Sequence, residues 1–371
     1  MFKKLLVAAA VLLLFSFSAN ASEFNFTGNG ARAAGMGYAF TGVADDATAI
    51  SWNSAGLTQL YSMEASVIGR LGFGTYTYTD LDNAPDITES SKFQLNFLSI
   101  VMPFNVANYK VVGGIAFRNI YDFNSELTFD FEGTEYIFAN EGGINAITPS
   151  VAVQINEMFS VGAALNIYTG SEDYYEEIDG EKTYESATTD YSGTSIDIGI
   201  LVKPSSKFSI GANLNLPNTI TSDTDGYEYD IDVPFFYSIG LGYRATDNLL
   251  LALDFHSRNW SNSDLFADSE VDVDLNSLHF GIEYLAQSGS SVIPLRLGFH
   301  TNPLFEWDKN GDQVVNPVIT LGAGIIMNKF ILDAAFEYEP ASYEFEDSFD
   351  TYTVEQNSFR FTLGGTIHFG K

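Results

Sequence analysis

A histidine beside a serine could begin an ester hydrolase, and carboxylates at alternate loop positions could hold calcium. The sequence offers a candidate of each kind. Its histidines are His256, His279, His300 and His368, and Ser257 directly follows His256. Acyl transfer needs a nucleophile, a base and an orienting group within hydrogen-bond reach. Neighbours on a strand point to opposite faces, so His256 and Ser257 cannot serve each other if this segment is a strand. No enzyme is expected. The run Asp308-Lys309-Asn310-Gly311-Asp312 resembles the start of a calcium loop, with Asp308, Asn310 and Asp312 as candidate ligands. Gln313 stands where such a loop has glycine, and Ile319 where it has a bidentate glutamate. A tight Asn-Gly turn is the competing reading. The chain has no cysteine, which excludes disulfides and thiolate metal sites, and nothing calls for a cofactor.

The elements that carry these residues have a clear period. Phe359, Phe361, Leu363, Gly365, Ile367 and Phe369 alternate with Arg360, Thr362, Gly364, Thr366 and His368. Leu249, Leu251, Leu253 and Phe255 alternate with Ala252, Asp254 and His256. Period two means strands with one apolar face and one polar or small face. The four histidines then share the polar face with Asp254, Glu283, Arg296, Asp333, Glu337 and Arg360. Charges gathered on an inner polar face pair with one another.

Such segments recur about fourteen times at ~10–14 residues each, the length of a tilted membrane strand. They fall at 60–78, 91–103, 110–123, 144–155, 158–170, 192–203, 206–217, 233–245, 247–258, 275–287, 291–302, 316–327, 329–339 and 356–369. Short links near Asn156, Pro204, Thr246 and Asn328 alternate with long ones at 79–90, 124–143, 171–191, 218–232, 259–274, 303–315 and 340–355. The long links hold acids such as Glu172, Asp173, Asp223, Asp268, Glu270, Glu344 and Asp347. Short turns on one side and long loops on the other mark an outer-membrane barrel, a rhythm that soluble sandwiches rarely keep. The expected fold is therefore all-β, a transmembrane antiparallel barrel of about fourteen strands in the cell outer membrane. A formal charge of −31 excludes a nucleic-acid reader. Divalent cations bridging the acidic loops to lipopolysaccharide would relieve that charge.

The first residues read as an export signal over 1–21, with Lys3 and Lys4, a short apolar stretch and Ala19-Asn20-Ala21. Residues 22–59 do not alternate. Gly28, Gly30, Gly35, Gly37 and Gly42 punctuate alanines and aromatics, a composition that lets backbone pack closely against another surface. A plug filling a wide barrel would be built so, leaving 60–371 as the barrel.

The run Gly30-Ala31-Arg32-Ala33-Ala34-Gly35-Met36-Gly37-Tyr38-Ala39-Phe40, then Ala44-Asp45-Asp46-Ala47, then Trp52-Asn53-Ser54-Ala55-Gly56-Leu57, resembles the plug of the FadL family of long-chain fatty-acid transporters. It is similar also to the related PorV-like outer-membrane proteins. The family has proline where this chain has Ser54, whose hydroxyl would have to hold the turn by hydrogen-bonding nearby backbone. The resemblance implies a plugged barrel that takes up a hydrophobic small molecule, fatty acid or hydrocarbon. It also implies sideways release at a kinked third strand, here marked by Gly113-Gly114. Phe40, Trp52, Asn53 and Leu57 are the expected plug contacts to the ligand. The alternative role is that of a PorV-like barrel whose loops hold secreted proteins at the cell surface. An aqueous porin comes third, because a plug would close it.

Overall fold

The computed structural model describes residues 28–79, 85–264, 274–346 and 351–369. The segment 1–21, residues 22–27 and loop acids such as Asp268, Glu270 and Asp347 lie outside the described residues.

The chain forms a closed antiparallel barrel of 14 strands. They are β1 Met63–Thr79, β2 Gln94–Val106, β3 Tyr109–Asp122, β4 Thr134–Gln154, β5 Phe159–Ile178, β6 Thr189–Val202 and β7 Phe208–Asn215. The second half is β8 Phe236–Thr246, β9 Leu249–Asn259, β10 Asp274–Ser288, β11 Ser291–Trp307, β12 Gln313–Met327, β13 Phe330–Glu346 and β14 Thr351–Phe369. Each expected strand overlaps one of these. Every strand pairs with its sequence neighbours, and β14 returns to β1 from Met63↔Phe369 to Thr79↔Thr353. Closure leaves no free edge, so a chain without disulfides is stabilised by its own ladder.

The period-two reading holds at the level of side chains. Leu297, Leu321 and Leu363 point outward and are 48%, 53% and 59% exposed. With Leu98, Ile100 and Met102 they belong to a belt of exposed apolar side chains. At ~25 cal/mol per Å², such a belt would be strongly unfavourable in water and belongs against hydrocarbon. The polar partners point in: Asp254, Glu283, Arg296, His279 and Glu337 are all buried.

The long links are shorter than the sequence suggested, because much of their length is sheet. β4 runs 21 residues and β5 runs 20, twice what a tilted crossing needs. Short strands at Ile87–Ser90, Ser125–Phe131, Glu181–Glu185, Asn218–Thr224 and Tyr227–Val233 extend the wall further on that side. The Asp308 run is a turn. Asp308 Oδ1 accepts from the backbone N–H of Asn310 (2.8 Å) and of Asp312 (3.0 Å), and Oδ2 accepts from Asn310 Nδ2 (3.1 Å). Those donors, the Asp312 N–H foremost, hold this carboxyl below the ordinary aspartate range. Asp308, Asn310 and Asp312 are thus tied to one another by hydrogen bonds, and no group of three or more His, Asp or Glu placed to hold a metal occurs among the described residues.

Residues 28–60 lie inside the barrel and almost all of them are buried. They form α1 Ala31–Gly35, α2 Ala49–Trp52 and a 3-10 turn Ser54–Gln59. Helices this short are unstable alone, so the wall must hold them.

Candidate functional site

The inner wall and the N-terminal segment share one ionic centre. Arg32 on α1 makes a two-pronged contact to Glu283 of β10, Nε to Oε2 and Nη2 to Oε1, both 2.9 Å. Arg296 of β11 donates to the same Oε2 at 2.7 Å and to Asp333 Oδ1 of β13 at 2.6 Å. Asp45 and Asp46, from the Ala-Asp-Asp-Ala motif, complete the shell around Arg32 Nη1, Asp46 at 3.4 Å. Buried charges are tolerable only when paired and hydrogen-bonded, and here each cation meets at least two carboxylates. Asp254 of β9 adds a second tie, accepting from the backbone N–H of Phe40 (2.8 Å) and Thr41 (2.6 Å).

Two motif glycines sit where no larger residue fits. A Cβ on Gly35 would lie 2.8 Å from Gly322 Cα of β12, so two backbones touch. Gly37 has φ +61°, and its N–H donates to Thr320 Oγ1 at 3.0 Å. His279 Nδ1 lies 2.8 Å from the Gly37 carbonyl, and its Nε2 lies 2.8 Å from Ser277 Oγ. A carbonyl can only accept, so Nδ1 carries the proton, and Ser277 donates to Nε2. Ser277 and His279 are two apart and share a face, a pairing that adjacency in sequence does not reveal. Ser257 instead donates to Asn259 Oδ1, away from His256.

Asn53 fixes the end of the segment. Its amide donates to the carbonyls of Thr41 (3.0 Å) and Ile200 (2.9 Å), and its Oδ1 accepts from Ala55 N–H (3.2 Å). Ser54 does not replace the family's proline by hydrogen-bonding, for its buried Oγ has no partner. Asn53 caps the turn instead. Its backbone at φ −169°, ψ 97° is extended, as a residue before proline must be. Ser54→Pro is therefore expected to stabilise the protein by about 0.5–1 kcal/mol. The check is the heating temperature at which the compact gel band in mild detergent is lost; a lower temperature would mean the Ser54 N–H is needed.

Above the segment, in the long-loop half, lies a cavity of about 830 Å³. Its floor is Gly28, Tyr38 and Trp52 with His256, His279 and His300. Tyr38 stacks on Trp52 with ring centroids 5.6 Å apart, and the rings of His279 and His300 stack at 5.2 Å. One wall is the apolar cluster of Ile87, Phe129, Tyr76, Tyr78, Leu127 and Phe138. The opposite wall belongs to a larger cluster that includes Phe123, Ile220, Trp260, Leu275 and Phe305. The walls thus carry aromatic clusters interleaved with charged and polar side chains such as Glu89, Lys92, Glu172, Arg258, Glu306 and Glu339.

Of the expected ligand contacts, Trp52 alone lines this cavity; Phe40, Asn53 and Leu57 are buried in the packing between segment and wall. Gly35, Gly37, Asp45, Asp46, Asn53, Ser54 and Ala55 all lie at segment contacts rather than at the cavity. Gly113 and Gly114 do not mark a gap. The ladder is unbroken there, with Met102↔Gly113↔Val151 and Val101↔Gly114↔Ser150. Gly113 is on the outer face beside Phe104 and Gly114 on the inner face beside Val101 and Ile50. Register breaks come at Ile68/Gly69 opposite Asn96 and at Asn119/Tyr121. Both breaks carry Gly28–Gly30: Asn96 Oδ1 accepts from Gly30 N–H at 3.2 Å, and Asn29 Nδ2 donates to the carbonyls of Asn96 (3.0 Å) and Asn119 (3.2 Å).

Fold and site together define a wide membrane-type barrel whose lumen is filled on one side by its own N-terminal segment and open to a cavity on the other. Solved structures of that class share it. The chain is similar to a Pseudomonas aeruginosa FadL homologue at TM-score 0.66 and 13% identity, covering 94% of this chain and 100% of that one. The P. putida toluene transporter TodX gives TM-score 0.66 at 12% identity, with 94% and 100% covered. The Ralstonia pickettii toluene transporter TbuX gives 0.62 at 13%, again over 94% and 100%. No family model matches the sequence, and neither does any curated protein. The likeness to FadL-type barrels is thus one of fold, and it agrees with the resemblance carried by the N-terminal motif.

Proposed function

We propose that the protein is an outer-membrane channel for uptake of a hydrophobic small molecule, with residues 22–59 as its plug and residues 60–371 as the barrel. The observation that carries this reading is the cavity: apolar clusters on two sides, open toward the long loops, closed below by Tyr38 and Trp52. A volume of about 830 Å³ suits one ligand of small-molecule size. A filled lower lumen argues against an aqueous pore. Neighbours that share the fold include proteins described as a toluene transporter and as a monoaromatic hydrocarbon channel, which agrees with an apolar cargo. Release in this reading is sideways, past the register breaks at Asn96 and Asn119, where fewer ladder bonds close the wall.

The test is to purify the protein from solubilised outer membrane and identify co-extracted small molecules by mass spectrometry against an unrelated barrel. An enriched apolar or amphiphilic compound is expected. No enriched compound, together with a stably bound exported protein, would replace this reading with the PorV-like role of holding secreted proteins at the surface.

A further inference from the structure

The two ends of the barrel carry opposite charge. In a chain of formal charge −31 the acids crowd the long-loop end. The short turns and the strand ends beside them instead hold Lys110, Lys203, Lys207, Arg244 and Lys329 against Glu157 and Asp247. None of these basic side chains pairs with a carboxylate among the described residues, unlike Arg32, Arg118, Arg296 and Arg360 in the lumen.

Two of them share a groove. A cavity of about 390 Å³ at this end is lined by Lys110 and Lys203, with Gln59, Tyr61, Asn105 and Gln154 around them. Lys110 Nζ lies 4.3 Å from the centroid of the Tyr61 ring, and Lys203 Nζ donates to Gln59 Oε1 at 3.0 Å. An ammonium has three donors, so both lysines keep N–H groups to spare for a ligand. Glu157 also lines the groove but forms no ion pair with either lysine among the described residues. Like charges on one concave surface repel, and ammonium and amide donors gathered there suit an oxyanion. The groove also reaches the membrane face. Phe104 lies at one lip, is 42% exposed on the outer face, and has Val106 and Tyr109 of the apolar belt beside it. On the inner side Gln59 Nε2 donates to the Ala44 carbonyl at 2.9 Å, so the groove lies where the N-terminal segment passes into β1.

We propose that this groove binds a phosphate group, presented by the head of an anionic phospholipid in the short-turn leaflet or by a soluble phosphate ester. The two ammonium groups neutralise the phosphate, and the amides of Asn105 and Gln154 supply neutral donors. A lipid adds the contact of its chains with Phe104 and the belt, which a soluble ester lacks. Such a site is independent of what crosses the lumen, so its absence would leave the channel reading standing.

The test uses the full protein, delipidated in a neutral detergent, with binding of dioleoyl phosphatidylglycerol and dioleoyl phosphatidylcholine read by native mass spectrometry. The two lipids share chains and a phosphate but differ in net charge. Phosphatidylglycerol is expected to bind about ten-fold or more above phosphatidylcholine, since each cation near an anionic head adds roughly a five-fold preference. Lys110→Gln with Lys203→Gln lowers phosphatidylglycerol affinity about ten- to thirty-fold and leaves phosphatidylcholine unchanged. Lys110→Arg with Lys203→Arg retains most of the affinity. The control, Arg244→Gln with Lys329→Gln, removes the same charge from the same rim outside the groove. It changes affinity less than about three-fold, because exposed charges beyond about 8 Å are screened at physiological salt. An unchanged compact gel band shows that each variant is folded. Displacement of the lipid by sn-glycerol 3-phosphate, bound as tightly, makes the source soluble; failure to displace it makes the source the membrane lipid. Both outcomes support the site. Undiminished phosphatidylglycerol binding by Lys110→Gln with Lys203→Gln overturns it. So do equal losses in the two glutamine double variants, which mean diffuse attraction to the rim. Equal binding of the two lipids by wild type, with no binding of sn-glycerol 3-phosphate, overturns it as well.

Discussion

Glu283→Ala is expected to cost about 3–5 kcal/mol of stability and to loosen the N-terminal segment from the wall. Glu283 is 4% exposed and, among the described residues, is the one carboxylate shared by Arg32 of the segment and Arg296 of the barrel. Removing it leaves two guanidinium groups facing each other in a dry lumen. Arg296 keeps Asp333, and Arg32 keeps Asp45 and Asp46, which sets the loss nearer the lower figure. The measurement is urea unfolding in detergent micelles followed by tryptophan emission. The double variant Arg32→Met with Glu283→Leu removes the segment's charge together with its partner. It should recover part of the loss, because replacing a whole buried pair by apolar side chains is often close to neutral. A single-variant loss below about 1 kcal/mol would show that the pair is solvated and that the segment is held by packing alone.

The barrel was legible in the sequence because its signal is the simplest one a chain can carry. Leu249 to His256 or Phe359 to Phe369 can be sorted into outward and inward sets by eye, and the register pairs Leu253 with Leu241 and with Phe280 on the outer face. Strand ends were harder. In Tyr174-Tyr175-Glu176-Glu177 both faces are polar or aromatic once the strand has left hydrocarbon, so the alternation fades while the ladder continues. Acids that looked like loop residues are sheet residues: Glu172 pairs with Thr189, and Glu344 with Thr353.

The site was legible only in part, for a different reason. The motif Gly35-Met36-Gly37 and Asp45-Asp46 announced close packing, and close packing is what these residues do. Nothing in a one-dimensional pattern tells which inward residue faces a partner and which faces empty space. Arg70, Glu283 and Arg296 all occupy inward positions; only three-dimensional placement separates the paired two from Arg70, which has no ion-pair partner among the described residues. Ser277 with His279 was overlooked because the eye seeks adjacent residues, whereas a strand brings together residues two apart. The break beside Asn96 was hidden as well, for an extra residue in a ladder leaves no compositional mark, while paired glycines such as Gly113-Gly114 attract attention and here only thin the side-chain layer.

Gly37→Val is expected to open the lumen. The residue has φ +61°, and a Cβ there would stand 2.6 Å from Phe299 N and 2.8 Å from Phe299 O of β11. Both obstacles are backbone in a continuous ladder, so neither can yield without breaking β11 pairing. A β-branched residue at positive φ is strained even in open space, and the clash adds to it. The combined penalty exceeds about 4 kcal/mol, more than a segment of short helices can absorb while the barrel itself remains intact. The expected result is a barrel of normal abundance and heat-modifiability that now conducts ions in planar bilayers and sensitises cells to large antibiotics. Gly311→Val is the matching control. It has φ +79° but nothing within 4 Å of the added Cβ, so it bears only the conformational cost of about 1–2 kcal/mol and should stay closed. Equal behaviour of the two variants would mean that strain, not the contact with Phe299, decides the outcome. The seating of Gly37 against β11 would then not be what keeps this lumen shut.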